Sequence, residues 1–363
     1  MMTLQAFLDE WNSERERVLV HTSGSTGQPK PLWVEKRRME ASARITCDFL
    51  GLQAGNTALL CMPLDFIAGK MMVVRTLVRG LQLFCVQPDG HPLRTRVPST
   101  DGCICLSSRD LRQDGHRAWQ LSPAPFPSGG AFDFVAMVPL QVWNSLQVET
   151  ERERLKAVRH LIIGGGAVDE QLAGQLRSFP NAVWSTYGMT ETLSHIALRR
   201  LSGPDASPWY TPFDGVTVSL SSEGCLVIDA PHVCESPLLT NDLAELTTHP
   251  AMRRTLFRIL GRRDNVVCSG GLKIQMEEVE RLLHPHLSEA FLVTKCPDSR
   301  LGEAVVLLTE GSTDDALQSF CRRLLPQHWA PRHYVHVDHI PLTATGKPAR
   351  AVAAAMARQL CGH

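Results

Sequence analysis

The sequence predicts an α/β protein with a large N-terminal domain and a small α+β domain at its C-terminal end. Three observations predict this class. Short apolar runs alternate with helical patterns between residues 17 and 200, short strands and turns follow from about Asp214, and a third pattern begins after Gly261. Alternating strands and helices are typical of a mostly parallel sheet flanked by helices. A chain of 363 residues is also long enough for about two domains.

The spacing of apolar residues predicts the strands and helices of the first region. Compact apolar runs predict strands at 18–21, 58–62, 83–86, 134–138, 161–163 and 183–187. Apolar residues spaced by three and four predict helices at 35–50, 69–80, 140–149 and 169–177. The stretch 88–127 is rich in Pro, Gly, Ser and Asp, so we expect it to form surface loops.

The second and third regions complete the predicted architecture. Residues 215–231 predict a β-hairpin whose turn is Ser222, Glu223 and Gly224. A charged link at 262–265 then leads into a helical pattern at 276–283 and two apolar runs. We therefore predict an N-terminal domain at 1–261, with a β-rich part at about 214–260, and a C-terminal lid domain at 262–363.

Composition excludes several classes of function. Lys plus Arg and Asp plus Glu both number 37, so no basic excess is present for general nucleic-acid binding. No apolar window is long enough to span a membrane, and the first residues lack the pattern of a signal peptide, so we expect a cytoplasmic protein without membrane insertion. The eleven cysteines are scattered through apolar runs, which favours reduced core thiols over disulfides.

A glycine- and hydroxyl-rich segment follows the first predicted strand. Its candidate phosphate-binding residues are Thr22, Ser23, Gly24, Ser25, Thr26, Gly27 and Lys30. Glycines let backbone N–H groups approach an anion, hydroxyls add donors, and a lysine supplies charge for terminal phosphates. The spacing differs from that of a Walker A loop, which argues against a GTPase, and no kinase catalytic loop is present. From these residues alone, a Ser/Gly turn without a ligand remains the alternative.

This segment resembles the S-G-S-T-G-x-P-K signature of the adenylate-forming superfamily, which includes acyl- and aryl-CoA ligases, luciferases and peptide-synthetase adenylation domains. Four further regions are similar to motifs of that family, in the family's order: IIGGGAVDEQL, STYGMTET, TNDLAEL and GRRDNVVCSGGLKIQMEEVE. The C-terminal PLTATGKPAR is similar to its lysine motif. Together these motifs cover residues 21–350.

The resemblance implies an ATP site and assigns a role to each matching residue. Ser25, Thr26 and Lys30 would hold the β- and γ-phosphates, and Thr190 would contact the α-phosphate. Glu191 would help to hold Mg²⁺, a hard cation suited to carboxylate and phosphate oxygens. The nucleoside would contact Gly165, Gly166, Ala167, Tyr187, Gly188, Asp242 and Arg262. Asn241 stands where the family has glycine, and because Asn tolerates positive φ we expect the turn there to be kept.

The C-terminal motifs imply a domain that alternates between two orientations. Lys347 would be the catalytic lysine, whose ammonium bridges the acyl carboxylate and the α-phosphate during adenylation. Asp264 would be the hinge that absorbs the backbone rotation between adenylation and thioester formation. Gly270 and Gly271 would then line the tunnel for CoA.

The acid is suggested by two further resemblances. Phe66 stands where the family commonly has His, and residues 187–200 are similar to the o-succinylbenzoate:CoA ligases of menaquinone biosynthesis, especially short bacterial forms. That acid has a second carboxylate, so its pocket needs a cation and apolar walls. Lys70, His195 and Arg199 are the candidates for that cation.

The resemblance leaves three questions open. Only twenty residues precede the phosphate segment, so we expect much of the family's first subdomain to be missing, with either a homodimer contact or a reduced core in its place. The acceptor could be a carrier protein instead of CoA, or the acid another aryl or acyl carboxylate. A non-catalytic nucleotide-binding scaffold is a further alternative, although a scaffold has no need for Lys30, Glu191, Asp242 and Lys347 together.

Overall fold

The computed structural model describes residues 2–21, 31–94, 103–111, 117–127, 131–249, 253–343 and 347–361. Its helices are α1 (Leu4–Asn12), α2 (Lys36–Phe49), α3 (Ile67–Arg79), α4 (Pro139–Gln147), α5 (Glu149–Ala157), α6 (Glu170–Leu176), α7 (Met276–Leu283), α8 (Asp315–Leu324) and α9 (Arg350–Leu360).

The strands of the N-terminal domain are β1 (Arg17–His21), β2 (Pro31–Glu35), β3 (Thr57–Leu60), β4 (Gln82–Cys85), β5 (Ile104–Leu111), β6 (Arg117–Pro123), β7 (Phe134–Met137), β8 (His160–Ile163), β9 (Ala182–Gly188), β10 (His195–Arg200), β11 (Thr211–Pro212), β12 (Thr217–Leu220), β13 (Cys225–Asp229), β14 (Leu238–Thr248) and β15 (Thr255–Arg262). Those of the C-terminal domain are β16 (Val266–Ser269), β17 (Leu272–Gln275), β18 (Phe291–Asp298), β19 (Gly302–Thr309) and β20 (His333–His336).

A nine-stranded sheet occupies the centre of the described N-terminal domain, in the order β11-β10-β9-β8-β7-β3-β4-β5-β6. The five strands β9, β8, β7, β3 and β4 are parallel, whereas β10, β11, β5 and β6 pair antiparallel at the two edges. The sheet is therefore parallel only in its middle, and the sequence prediction of a mostly parallel sheet holds for those five strands.

Helices cover both faces of this sheet because successive strand residues point to opposite sides. On β3, Ala58 and Leu60 belong to the core under α2 and α3, while Leu59 packs into the core under α4, α5 and α6. The predicted strands and helices of this region are all present, with ends within about two residues of the predicted ones.

Two expectations for this region are wrong. The strand at 18–21 does not join the main sheet; β1 instead pairs antiparallel with β2 in a separate two-stranded ribbon. The stretch 88–127 is not all surface loop, because β5 and β6 form a hairpin along the sheet edge. The stretch is rich in Pro and Gly, which favours loops, yet Cys103, Cys105 and Leu106 are buried there.

The remaining strands form two further sheets. β12 to β15 make a four-stranded antiparallel sheet, and the predicted hairpin turn at Ser222, Glu223 and Gly224 connects β12 to β13. β17, β16, β19, β18 and β20 form the sheet of the C-terminal domain, with α7 and α8 on one face and α9 on the other. The chain changes from one sheet to the other at residues 263–265, beside the predicted boundary.

All eleven cysteines are free thiols, and most are buried. No helix in the described ranges is both long and apolar enough to cross a membrane.

Candidate active site

The predicted nucleotide residues gather at the carboxyl ends of the parallel strands. In open α/β sheets this edge forms the crevice in which ligands bind. The Gly-rich turn 164–167 follows β8, and Gly188 ends β9. An isolated bridge between His21 and Phe66 brings the start of α3 beside the last residue of β1. The predicted phosphate-binding residues Thr22, Ser23, Gly24, Ser25, Thr26, Gly27 and Lys30 lie outside the described residues.

Two glycines allow the backbone to approach closely at this edge. Gly165 has φ of +80°, and a Cβ on Gly164 would lie 2.5 Å from Thr186 Oγ1. A Cβ on Gly188 would lie 2.2 Å from the Ser194 carbonyl oxygen, so only glycine fits there. The predicted nucleoside contacts Gly165, Gly166 and Ala167 lie in the first of these turns, and two of them are exposed to solvent.

Tyr187 and Asp242 are joined directly across the site. The Tyr187 hydroxyl donates a hydrogen bond of 2.6 Å to Asp242 Oδ2, and Arg262 Nη1 lies 3.6 Å from Asp242 Oδ1. Burial and the neighbouring Asp242 charge raise the pKa of Tyr187 well above its ordinary value, which keeps its hydroxyl a donor. The Tyr187 ring packs against Phe257 and Tyr210, with centroids 5.0 Å and 5.8 Å away.

Strand pairing explains why Asp242 and Arg262 meet. They are direct partners in the antiparallel pairing of β14 and β15. The expectation for Asn241 is wrong, because this residue lies inside β14 and not at positive φ. Its side chain is used instead: Asn241 Nδ2 donates to Asp264 Oδ2 at 3.1 Å and its Oδ1 accepts from Arg263 at 3.2 Å.

A short 3₁₀ segment, Thr190–Thr192, follows Gly188 and displays the predicted metal residue. Thr190 is buried, whereas Glu191 is exposed. Within the described part of the chain the Glu191 carboxylate makes no hydrogen bond or ion pair, and only its backbone carbonyl accepts, from Cys234 Sγ. An exposed carboxylate without a protein partner fits the oxygen ligands that Mg²⁺ requires.

Lys347 lies close to this constellation although it belongs to the C-terminal domain. Burial, and secondly the positive charge of Arg262, lower the pKa of Lys347 below its ordinary value. The Thr343 backbone N–H donates a hydrogen bond of 2.7 Å to the Lys347 carbonyl. Tyr187, Asp242 and Arg262 thus form one contiguous group, and Lys347 lies within range of the Arg262 charge.

The predicted hinge residue lies on the connection between the two sheets, and the predicted CoA residues lie in the first hairpin turn beyond it. The Asp264 carboxylate accepts from Asn241 and, at 3.1 Å, from Arg262 Nη2. Gly270 and Gly271 form the two-residue turn between β16 and β17, with φ of +57° and +84°. Positive φ at both positions is the requirement of a tight type I′ hairpin turn, and both glycines are exposed.

Two of the three candidate acyl cations are engaged elsewhere. Lys70 is 2% exposed, and its Nζ donates to the Leu19 carbonyl at 2.6 Å and lies 3.9 Å from Glu10 Oε2. It therefore fastens α3 to β1 and α1. Arg199 Nη2 donates to the Val168 carbonyl at 3.2 Å, and its guanidinium lies over the ring of Tyr210.

His195 is not a cation in this structure. It is 7% exposed, with Thr46 Oγ1 at 3.1 Å from Nε2 and Ser194 Oγ at 3.2 Å from Nδ1. Burial, with a smaller effect of the nearby Arg75 charge, lowers its pKa well below 6.5, so the ring is neutral. A small cleft lined by Phe213, Ile45 and other apolar side chains opens beside the ring.

Arg75 is the buried cation that the sequence analysis did not name. It is 2% exposed, donates to Ser194 Oγ at 2.6 Å and approaches Thr46 Oγ1 at 3.5 Å. No carboxylate of the described residues pairs with it, and its Nε has no hydrogen-bond partner. Burial lowers its pKa to about 10, so it stays charged at neutral pH. The signal in the sequence was an arginine inside the apolar helical run 71–78.

The fold, and the motif residues that it brings together, point to the class of AMP-binding enzymes. The family model of AMP-binding enzymes matches residues 8–231. The chain belongs to the AMP-binding enzyme family and has the adenylate-forming fold.

Individual relatives support this assignment. The chain is 24% identical to a 2-succinylbenzoate–CoA ligase of Bacillus cereus strain Q1, over 94% of this chain and 71% of that one. It is 30% identical to an AMP-forming acyl-CoA synthetase/AMP-acid ligase II-like protein from Dyadobacter fermentans, whose crystal structure matches with a TM-score of 0.58 over 95% of this chain and 91% of that one.

A further solved structure shares the fold. The o-succinylbenzoate CoA synthetase from Bacillus subtilis, in complex with ATP and magnesium ion, matches with a TM-score of 0.66 at 20% identity. The match covers 92% of this chain and 68% of that one.

Proposed function

We propose that the protein is an ATP-dependent acid:CoA ligase that acts on o-succinylbenzoate. In the first step a carboxylate oxygen of the acid attacks the α-phosphorus of ATP, and pyrophosphate leaves. In the second step the thiol of CoA attacks the acyl carbon, AMP leaves, and a thioester is formed. The names of the bacterial relatives and the sequence motifs support this assignment.

The observation that carries the proposal is that the buried Lys347 lies within range of the charge of Arg262, which itself pairs with Asp242. Arg262 and Lys347 place two cations beside the carboxylates of Asp242 and Asp264, and cationic donors are what binding of a phosphate requires. In the proposed roles, Asp242 accepts from the ribose hydroxyls and Tyr187 lies beside the adenine. The Lys347 ammonium binds both the acid carboxylate and the α-phosphate, and so stabilises the charge that develops between them.

Magnesium has a suitable ligand in Glu191. Its exposed carboxylate stands beside buried Thr190, in the segment that is proposed to contact the α-phosphate. A bound Mg²⁺ would supply charge neutralisation for the phosphate oxygens. The Thr190 hydroxyl would donate a hydrogen bond to the α-phosphate.

Arg75 supports an acid with a second anionic group. Arginine is almost never fully buried unless it is paired, and breaking such pairs is costly. The guanidinium of Arg75 has two hydroxyl neighbours and an unpartnered Nε, and it lies against Ser194, three residues after Glu191. We therefore assign the carboxylate of o-succinylbenzoate that does not react to Arg75, with neutral His195 and Ser194 as hydrogen-bonding neighbours. This assignment replaces Lys70, His195 and Arg199 as candidates for that cation.

The experiment is a pyrophosphate-release assay with ATP, Mg²⁺ and CoA. The acids compared are o-succinylbenzoate, benzoate, medium-chain fatty acids and none, and Lys347→Ala is the inactive control. Release that depends on o-succinylbenzoate, with its CoA thioester detected by mass, supports the whole proposal.

Other outcomes discard parts of it. Release with another acid keeps the chemistry and rejects the substrate. Adenylate formation without any CoA thioester points to a carrier protein as the acceptor. No release with any acid favours the non-catalytic scaffold.

A further inference from the structure

Three potential metal ligands meet in the C-terminal domain, away from the nucleotide residues. They are Cys296 on β18, His333 on β20 and Cys361, which ends α9. One ligand atom from each of the three lies within 4.8 Å of the other two. Cys296 is 1% exposed, and the other two are partly buried. Neither cysteine forms a disulfide.

The register of the sheet explains how the cluster forms. β19 lies between the two ligand-bearing strands, where Val306 pairs with Thr294 on one side and with His333 on the other. Cys296 is two residues beyond Thr294, so it points to the same face as Thr294. Its partner on β19 is Ala304, whose small side chain leaves room beside the sulfur. α9 covers this face, and its last turn delivers Cys361.

We propose that Cys296, His333 and Cys361 bind one zinc ion. Thiolate and imidazole are the ligands that zinc prefers, and tetrahedral zinc sites use these residue types. With Zn–S distances of about 2.3 Å and Zn–N distances of about 2.0 Å, ligand atoms on such an ion are roughly 3.5 to 3.8 Å apart. Side-chain rotations that move each ligand atom by about 1 Å or less would bring the three atoms to that spacing. A water molecule would complete the fourth coordination position of the ion.

The chemistry of the two thiols sets the pH dependence of binding. Zinc binds thiolates, so binding releases protons and strengthens as the pH rises.

The site would fasten both ends of α9. Its first residue, Arg350, already pairs with Glu280 at 2.7 Å and donates to the Val293 carbonyl at 3.0 Å. Zinc at Cys361 would hold the other end to β18 and β20. Lys347 lies three residues before α9. The metal would therefore make rigid the helix that directly follows the proposed catalytic lysine.

The test uses the full chain without a polyhistidine tag, expressed with added zinc and purified without chelator. We expect about one zinc per chain by elemental mass spectrometry, and after exchange into Co²⁺ a thiolate-to-cobalt charge-transfer band. Cys296→Ser, His333→Asn and Cys361→Ser should each weaken zinc binding by about 100-fold or more, since even indirect partners of a metal site contribute 10- to 100-fold. Zinc should also raise the thermal midpoint of unfolding of the unchanged chain, but not that of these three variants.

Matched controls separate this site from adventitious binding. Cys85→Ser changes a partly exposed cysteine on β4, and His336→Asn changes a histidine on the same strand as His333. Both should keep the full zinc content and the cobalt band. Equal zinc in all variants, or none in the unchanged chain, would overturn the proposal. A zinc-free chain in which air oxidation has joined Cys296 to Cys361, seen as a loss of two hydrogens and located by peptide mapping, would also overturn it.

Discussion

Replacing Arg75 by methionine should make the free protein more stable while it damages the use of a dicarboxylic acid. The pKa of Arg75 falls from 12.5 to about 10 in the fold, which corresponds to about 3 kcal/mol at about 1.36 kcal/mol per pKa unit. A base whose pKa is lowered is charged at a cost in the folded state. This cost is fully present below about pH 10 and declines as the pH rises toward 12.5.

The hydrogen bonds of Arg75 offset part of that gain. Losing the bond to Ser194 removes about 1.5 kcal/mol or more, since the donor is charged. Ser194 keeps His195 as a neighbour and Thr46 still donates to the Ser42 carbonyl, so neither hydroxyl is left alone. We expect a net stabilisation of about 1 kcal/mol, or a rise of about 2 °C in the thermal midpoint of unfolding.

Catalysis should change in the opposite direction. Loss of a charged hydrogen bond to the second carboxylate, worth about 1.5 to 3 kcal/mol, predicts a fall in kcat/KM of about 10- to 150-fold for o-succinylbenzoate. An analogue in which the non-reacting carboxylate is an amide should lose little. The control is Arg79→Met on the same helix, because Arg79 pairs with Asp48 and is partly exposed.

Steady-state kinetics and thermal unfolding of both variants complete the assay. The reasoning fails if Arg75→Met lowers stability by several kcal/mol, which would make the guanidinium an ordinary structural group. It also fails if both acids lose activity equally, because a carboxylate-specific contact cannot produce that pattern.

Four further changes test the remaining assignments. Lys347→Ala should abolish ATP–pyrophosphate exchange yet still convert presynthesised acyl-adenylate to thioester, and equal loss of both steps would contradict its role. The lowered pKa of Lys347 means that its ammonium is lost at lower pH than for an ordinary lysine; adenylation should therefore decline on the alkaline side, and Arg262→Met should move that decline to higher pH in a pH–rate profile. Tyr187→Phe removes one donor to Asp242 and should raise KM for ATP about 5- to 10-fold without lowering the thermal midpoint by more than a few degrees, whereas an unchanged KM would separate this pair from the nucleotide. Asp264→Pro should block domain rotation, so normal rates in both half-reactions would refute the hinge.

The sequence predicted the fold well where short-range patterns suffice. The helix at 276–283 and the hairpin with its turn at Gly224 match the structure, because apolar period and turn chemistry are local. Strand partners are not local. The first strand has the apolar pattern of a core strand, and Val18 and Val20 are buried. It pairs with β2, however, and no sequence pattern predicted that pairing.

The candidate site divides in the same way. Motif spacing singled out Tyr187 and Asp242, which a hydrogen bond joins in the structure, and Lys347, whose pKa the charge of Arg262 helps to lower. The acyl cation could not be chosen from sequence, because charge depends on burial and on partners. Lys70 is occupied by Leu19 and Glu10, His195 is neutral, and Arg75 was hidden in an apolar helix.

The ribbon of β1 and β2 has a consequence for changes in chain length. His21 pairs with Pro31, so the two ends of the nine-residue segment between them are held side by side by backbone hydrogen bonds. The five residue pairs of this ribbon are formed by β1 and β2 themselves, so their register does not depend on the length of chain that joins the two strands. An insertion at 22–30 would therefore leave the fold intact, and any activity lost would measure how strictly the enzyme depends on the position of those residues.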